Sequence, residues 1–192
     1  KKLRNKISTL VKKYSDLEFK KSKFIAGKTT IPPTGKVIGD LELQNMVEAS
    51  LDGWLTAGRF NNEFEKKLAN FIGIKQLITA NSGSSANLIA FSTLTSPKLK
   101  ERAIKPGDEV ISVAAGFPTT INPIVQFGAV PVFVDVKIPT YNIDEKAIEE
   151  AITSKTKAIL VVHIYGLPVN LDPVLSLCKK YNLKLIEDAA EV

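Results

Sequence analysis

Three stretches of this 192-residue chain place polar or aromatic residues directly beside apolar runs, where an α/β protein keeps its ligand groups. In the first, Asn81, Ser82, Gly83, Ser84, Ser85 and Asn87 separate the runs "IKQLIT" and "LIAF". Gly83 can take backbone angles denied to other residues, and Ser84 and Ser85 would open the following helix. Free N–H groups at a helix start, with hydroxyls beside them, make a phosphate seat; the same residues also serve as plain helix caps. In the second, Phe117 of "AAGFPTT" stands at a helix start, where it can stack on a planar ring or pack into a core. In the third, Glu187 and Asp188 are adjacent at the end of "LKLIEDAA". Side chains alternate along a strand, so one carboxylate can enter a site while the other faces away. A carboxylate aimed at a ring nitrogen keeps that nitrogen protonated.

The elements that must position these groups alternate. The stretches "IKQLITA", "DEVISVAA", "VPVFVDV", "KAILVVHIY" and "LKLIEDAA" read as strands, and "SSANLIAFSTL", "PTTINPIVQF", "DEKAIEEAI" and "LDPVLSLCKKYN" as helices. Pro118 fits the first turn of the second of these helices, Gly128 its stop, and Asn142 or Asp144 would open the third. The strands are continuous apolar runs, which predicts burial on both faces in a parallel sheet and an α/β doubly wound architecture. Ahead of them, Asp40 can cap a helix with Leu43, Met46, Val47, Leu51 and Trp54 on one stripe. A second helix carries Phe64, Leu68, Phe71 and Ile72 and stops at Gly73. The Pro/Gly stretch "IPPTGKVIG" should be extended and irregular. Four residues separate the apolar strand "LKLIE" from Val192, where a ligand-bearing loop should begin, so the chain reads as a fragment.

Bulk properties narrow the function. One cysteine, Cys178, and one histidine, His163, exclude a disulfide framework and a His- or Cys-rich metal site within the chain. No apolar run has the length of a membrane span and no signal-peptide pattern follows the basic start, so the expected setting is the cytoplasm, with no membrane partner. The net charge of +6 belongs to the N-terminal arm: residues 1–28 carry ten Lys/Arg against two acids, the remainder sixteen against eighteen. Leu3, Ile7, Leu10, Val11 and Tyr14 at helical spacing make the arm a solvated helix, and no nucleic-acid reader motif accompanies it, so nucleic acid is not expected as a partner. G-x-x-x-x-G-K-[ST] and G-x-G-x-x-G are both absent, against a P-loop or Rossmann nucleotide module.

Taken in order, "ANSGSSANLIAF", "KPGDEVISVAAGFPTTINPIVQFGAVPVFVDV", "YNID" and "LIEDAAEV" resemble the DegT/DnrJ/StrS sugar aminotransferase family of fold-type I pyridoxal-phosphate enzymes, across about residues 30–192. "PPTGKVIG", "VEASLDGWLTAGRFNNEFEKKL", "LTSPKLKERAIKPGDEV" and "VDVKIPTYNID" are similar to its CDP-4-dehydro-6-deoxyglucose 3-dehydratase branch, in lipopolysaccharide biosynthesis. The resemblance implies a three-layer α/β/α, mostly parallel sheet of the aspartate aminotransferase type, truncated, with residues 1–30 as a basic helical arm and 31–192 as the N-terminal part of the large cofactor-binding domain. It implies pyridoxal 5'-phosphate or pyridoxamine 5'-phosphate as cofactor, a nucleotide-sugar substrate and a homodimer. Gly83, Ser84 and Ser85 match the phosphate turn, Phe117 the stacking aromatic, and Asp188 the partner of the pyridine nitrogen. Glu191 stands where family aminotransferases often carry Gln or His.

"GWLTAGRF" matches a substrate-side segment, with no role assigned to Trp54 or Thr56. "HIYGLPVNLDP" and "EDAAEV" look more like the ordinary aminotransferases; His163 and Tyr165 lie near a strand end where they could face the site, and His163 reads as a satisfied structural histidine. In the aminotransferases a Lys holds the cofactor and moves protons, whereas in the dehydratase branch a His replaces it and the cofactor is bound freely; either residue would lie beyond Val192. Any iron–sulfur cluster would also need later cysteines, since Cys178 alone cannot hold one. The expected activity is C3 dehydration of a nucleotide-linked 4-keto-6-deoxyhexose, with sugar-nucleotide transamination as the alternative, and the fragment by itself is expected to be inactive.

Overall fold

A computed structural model describes residues 1–19, 23–32, 35 and 37–191. Pro33, Thr34 and Lys36 of the Pro/Gly stretch and Val192 at the end of "EDAAEV" lie outside the described residues. The chain divides into two compact units, Lys1–Ile78 and Thr79–Val192.

The first unit is helical. α1 (Lys2–Glu18) packs on α2 (Asp40–Leu51), so contacts join the basic arm to the segment after it. Arg4 fastens the pair, donating to Glu48 Oε2 at 3.0 Å, to Asp52 Oδ1 at 2.9 Å and to the Leu51 carbonyl at 2.7 Å. Arg59 reaches the other oxygen of Asp52 at 2.8 Å, and the hydrogen bonds from Arg59 and then Arg4 hold that carboxyl below its ordinary pKa. Asp40 is the first residue of α2 rather than its cap: Gly39 is extended and its N–H is captured by Glu42 Oε2 at 2.7 Å, which moves the helix start by one residue. Trp54 falls outside the apolar stripe, because α2 ends at Leu51 and Gly53 turns the chain with φ 63°. α3 (Arg59–Ile72) ends as expected, at a left-handed Gly73.

The second unit carries a four-stranded, all-parallel sheet in the order β2 (Val130–Val134), β1 (Glu109–Val113), β3 (Thr156–Val162), β4 (Lys184–Asp188). Its helices are α4 (Gly83–Leu94), α5 (Pro118–Gln126) and α6 (Leu171–Tyr181). Strand side chains feed two cores by alternation. Val110, Ala158, Leu160 and Ile186 pack with Phe91 of α4 and Ile124 of α5. Ile111, Val113, Ile159 and Val161 pack with Val174 and Leu177 of α6. That is the expected three-layer α/β/α arrangement, and it explains the unbroken apolar runs of β1 and β3; the expected two-sided burial fails at the edge strand β2, where Val130 and Phe133 are exposed.

Two further sequence expectations fail here. "IKQLITA" is not a strand: residues 74–80 join no ladder among the described residues, and Ile74 and Ile78 are exposed. Apolar periodicity supplies only one side of a strand; the other is a neighbour with a free edge. "DEKAIEEAI" is not an α-helix but turns ending in one 3₁₀ turn at Glu149–Ala151. The Asp144 side chain bonds the N–H of Lys146 at 3.1 Å, and Ile143 pairs with Val136 while Ile148 is driven fully into the core. Local side-chain bonding and burial outweigh the propensity of so short a segment.

Candidate functional site

The site is built at the carboxyl ends of β1, β3 and β4. α4 starts immediately after Ser82, whose Oγ accepts from the N–H of Ser85 at 3.2 Å. Ser82 is thus the cap, while the N–H groups of Gly83 and Ser84 lie in the turn that helix geometry leaves without intrahelical acceptors. A Cβ on Gly83 would meet nothing within 4 Å, so the approach to this turn is open. Ser84 is exposed and Ser85 half-buried. Together they border a cleft of about 170 Å³ that Thr119, Asn122 and Gln126 of α5 close from the other side.

Phe117 is the extended N-cap residue of α5, ahead of Pro118 at the first helical position, and the residue remains 37% exposed. The turn before it is tight: a Cβ on Gly116 would come within 3.1 Å of Val113 Cγ1. Phe117 therefore belongs to neither core cluster and keeps a face toward solvent or a ligand.

Asp188, the last residue of β4, is buried. Its Oδ2 accepts from Asn87 Nδ2 of α4 at 2.8 Å and from Thr120 Oγ1 of α5 at 2.8 Å. Its Oδ1 has one long bond, from the Ala190 N–H at 3.3 Å. Among the described residues no cation pairs with it. Glu187 alternates to the opposite side, with Oε2 3.2 Å from His163 Nε2. His163 is buried, and its Nδ1 accepts from the Val169 N–H at 3.0 Å, so Nε2 carries the proton and donates to Glu187. That is a satisfied structural histidine. Tyr165 is 74% exposed and left-handed, with φ 51°. Its N–H donates to Glu191 Oε2 at 2.6 Å, which ties Glu191 to the turn after β3.

The structure thus gathers Ser84, Ser85, Phe117 and Asp188 through α4, α5 and β4, and places Glu191 on the β3 turn. Asn87 and Thr120 were not assigned roles from sequence. Their signal is a polar residue at a buried position of an apolar helix: Asn87 is 8% and Thr120 0% exposed. The arrangement fits a cationic aromatic ring carrying an anionic group. It offers a helix start for the anion, an aromatic face, and a buried carboxyl group whose partners are neutral donors.

Comparison with known proteins bears on this. Residues 37–192 match the model of the DegT/DnrJ/EryC1/StrS aminotransferase family. The chain is 60% identical over 189 residues to the lipopolysaccharide biosynthesis protein RfbH of Salmonella typhimurium (strain LT2), covering 98% of this chain and 43% of that protein. It is 48% identical over 165 residues to dTDP-4-dehydro-2,6-dideoxy-D-glucose 3-dehydratase of Saccharopolyspora spinosa, covering 86% and 36%. A crystal structure of GDP-4-keto-6-deoxymannose-3-dehydratase with a trapped PLP-glutamate geminal diamine superposes with a TM-score of 0.78 at 34% identity, covering 84% of this chain and 42% of that one. The chain spans less than half the length of these relatives.

Proposed function

This chain belongs to the DegT/DnrJ/EryC1/StrS aminotransferase family, and from that premise we propose that the protein it forms part of is a pyridoxal- or pyridoxamine-phosphate enzyme of lipopolysaccharide deoxysugar biosynthesis. Its substrate is a nucleotide-linked 4-keto-6-deoxyhexose and its reaction loss of the C3 hydroxyl. The similarity to two sugar 3-dehydratases supports the choice of reaction. The observation that carries the choice of cofactor is Asp188: a buried carboxylate with two neutral donors on one oxygen and the other oxygen left for a ligand.

The bound cofactor supplies an electron sink. The chain's own residues seat and tune it. Gly83, Ser84 and Ser85 would receive the phosphate at the start of α4, where the N–H groups of Gly83 and Ser84 have no intrahelical acceptor. Phe117 would offer its ring to one face of the cofactor. Asp188 would hold a proton on the ring nitrogen. Glu191 borders the site from the β3 turn. The residue that moves protons at the sugar is a Lys or His beyond Val192, and the working form is a cytoplasmic homodimer.

Transamination is the second reading, favoured by "HIYGLPVNLDP" and "EDAA". Borohydride trapping of the full-length protein with pyridoxal phosphate, read by mass spectrometry, separates the two. Reversible binding of pyridoxamine phosphate without a lysine adduct is the expected result. A lysine adduct beyond residue 192 makes the protein an aminotransferase, and no binding of either cofactor form overturns the reading. Light scattering on the same sample checks the dimer.

A further inference from the structure

We propose that Asn87 and Thr120 are positioning residues for Asp188: they fix its carboxylate as a charged acceptor for a cationic ring nitrogen. This rests on the cofactor reading above. Both donors converge on the same oxygen, Oδ2, each at 2.8 Å. A carboxylate oxygen accepts, so two donors converging on Oδ2 fix the rotation of the group. Oδ1, with a single 3.3 Å bond from Ala190 N–H, is the oxygen left for a ligand. Asn87, Thr120 and Asp188 are all more than nine-tenths buried, so these protein groups rather than water set the carboxylate's orientation.

The two donors also link the carboxylate to the rest of the seat. Asn87 lies one helical turn beyond Gly83 and Ser84, at the i+4 and i+3 positions of α4. Thr120 lies in the first turn of α5, where its N–H bonds the Phe117 carbonyl at 3.0 Å. Residues 68 and 101 positions away in sequence from Asp188 thereby set the spacing between phosphate turn, stacking ring and carboxylate. A shift of either helix moves two of the three contacts together.

The test uses the full-length protein with Asn87→Leu, Thr120→Val, Thr120→Ser and Asp188→Asn. The readouts are the dissociation constant for pyridoxamine 5'-phosphate by fluorescence titration, kcat and KM for the sugar nucleotide, and unfolding without cofactor. Asn87→Leu and Thr120→Val are each expected to weaken cofactor binding about tenfold to hundredfold, as for loss of a hydrogen bond to a charged group. They should lower kcat with little change in KM. Thr120→Val keeps the shape and loses the hydroxyl, whereas Thr120→Ser keeps the hydroxyl and loses a methyl. Positioning ranks Ser above Val; a packing role ranks Val above Ser and overturns the proposal. So does wild-type affinity in both Asn87→Leu and Thr120→Val. If Asn87→Leu does not fold, the Thr120 pair decides alone. A wild-type protein that binds no cofactor overturns the functional reading itself, and normal binding by Asp188→Asn removes Asp188 from the site; each takes this proposal with it.

Discussion

The two units of the chain are held together by different physics. In Thr79–Val192 the sheet buries Val110, Ile111, Ile159 and Val161 completely, and helices close both faces. In Lys1–Ile78 only Ser15 and Ala69 are buried among the described residues, while Leu55, Phe71 and Val37 are more than four-fifths exposed. There the contact between α1 and α2 is fastened by exposed ion pairs around Arg4, Asp52 and Arg59. The difference shows how to read an apolar pattern. Strands of a parallel sheet find partners within the unit, whereas an amphipathic helix declares only that it has an apolar side. The candidate site lies wholly in the unit with the sheet-centred core, where groups from two helices hold the Asp188 side chain at the end of β4.

The contrast can be broken by a paired substitution. Phe91 is fully buried, its ring centroid 5.7 Å from that of Phe127. Phe91→Ala is expected to cost about 3–5 kcal/mol in urea unfolding. Phe71→Ala, at an 87% exposed position, should stay within about 0.5 kcal/mol. A comparable loss at both would mean that Phe71 is covered in the folded protein.

A smaller effect sharpens the picture within the second unit. Glu145 is 7% exposed, pairs with Lys137, and accepts from the Asn170 N–H at 3.3 Å. Burial by itself raises its pKa, but the hydrogen bonds from Lys137 and the backbone, with the Lys137 charge, bring it below the ordinary value. A depressed carboxyl stabilises the fold above its unfolded pKa, about 4.3, and that contribution fades as pH falls through the folded value. Glu145→Gln should therefore cost about 1–3 kcal/mol near neutral pH and flatten stability below about pH 4.3, as read by urea unfolding at stepped pH. An unchanged acid limb would remove Glu145 from the account.

The smallest effect is in the first unit. Arg4→Met should loosen α1 from α2, seen as faster amide exchange in α1, and high salt should mimic it in the unsubstituted protein because exposed pairs are screened. Salt-insensitive exchange would show that apolar contacts rather than Arg4 hold the pair.

Much of this was legible in the sequence. Gly73 and Gly128, the apolar runs of the central strands β1 and β3 and the stretch from Ser82 to Asn87 each carry a local physical signal: left-handed backbone, two-sided burial, or a helix start. Those features, together with the ordered motifs, determined the fold class, the family, the positions of Phe117 and Asp188 near strand ends and that of Ser84 at a helix start. Tertiary structure decided the rest, because each remaining feature depends on a partner distant along the chain. Residues 74–80 are not a strand because no ladder takes them, and residues 144–152 wrap the core because Ile148 must enter it. Asp188 becomes a poised acceptor only when Asn87 and Thr120, far away in sequence, converge on one of its oxygens. Periodicity reports what a segment prefers locally, while a buried hydrogen bond between elements exists only once the chain has folded.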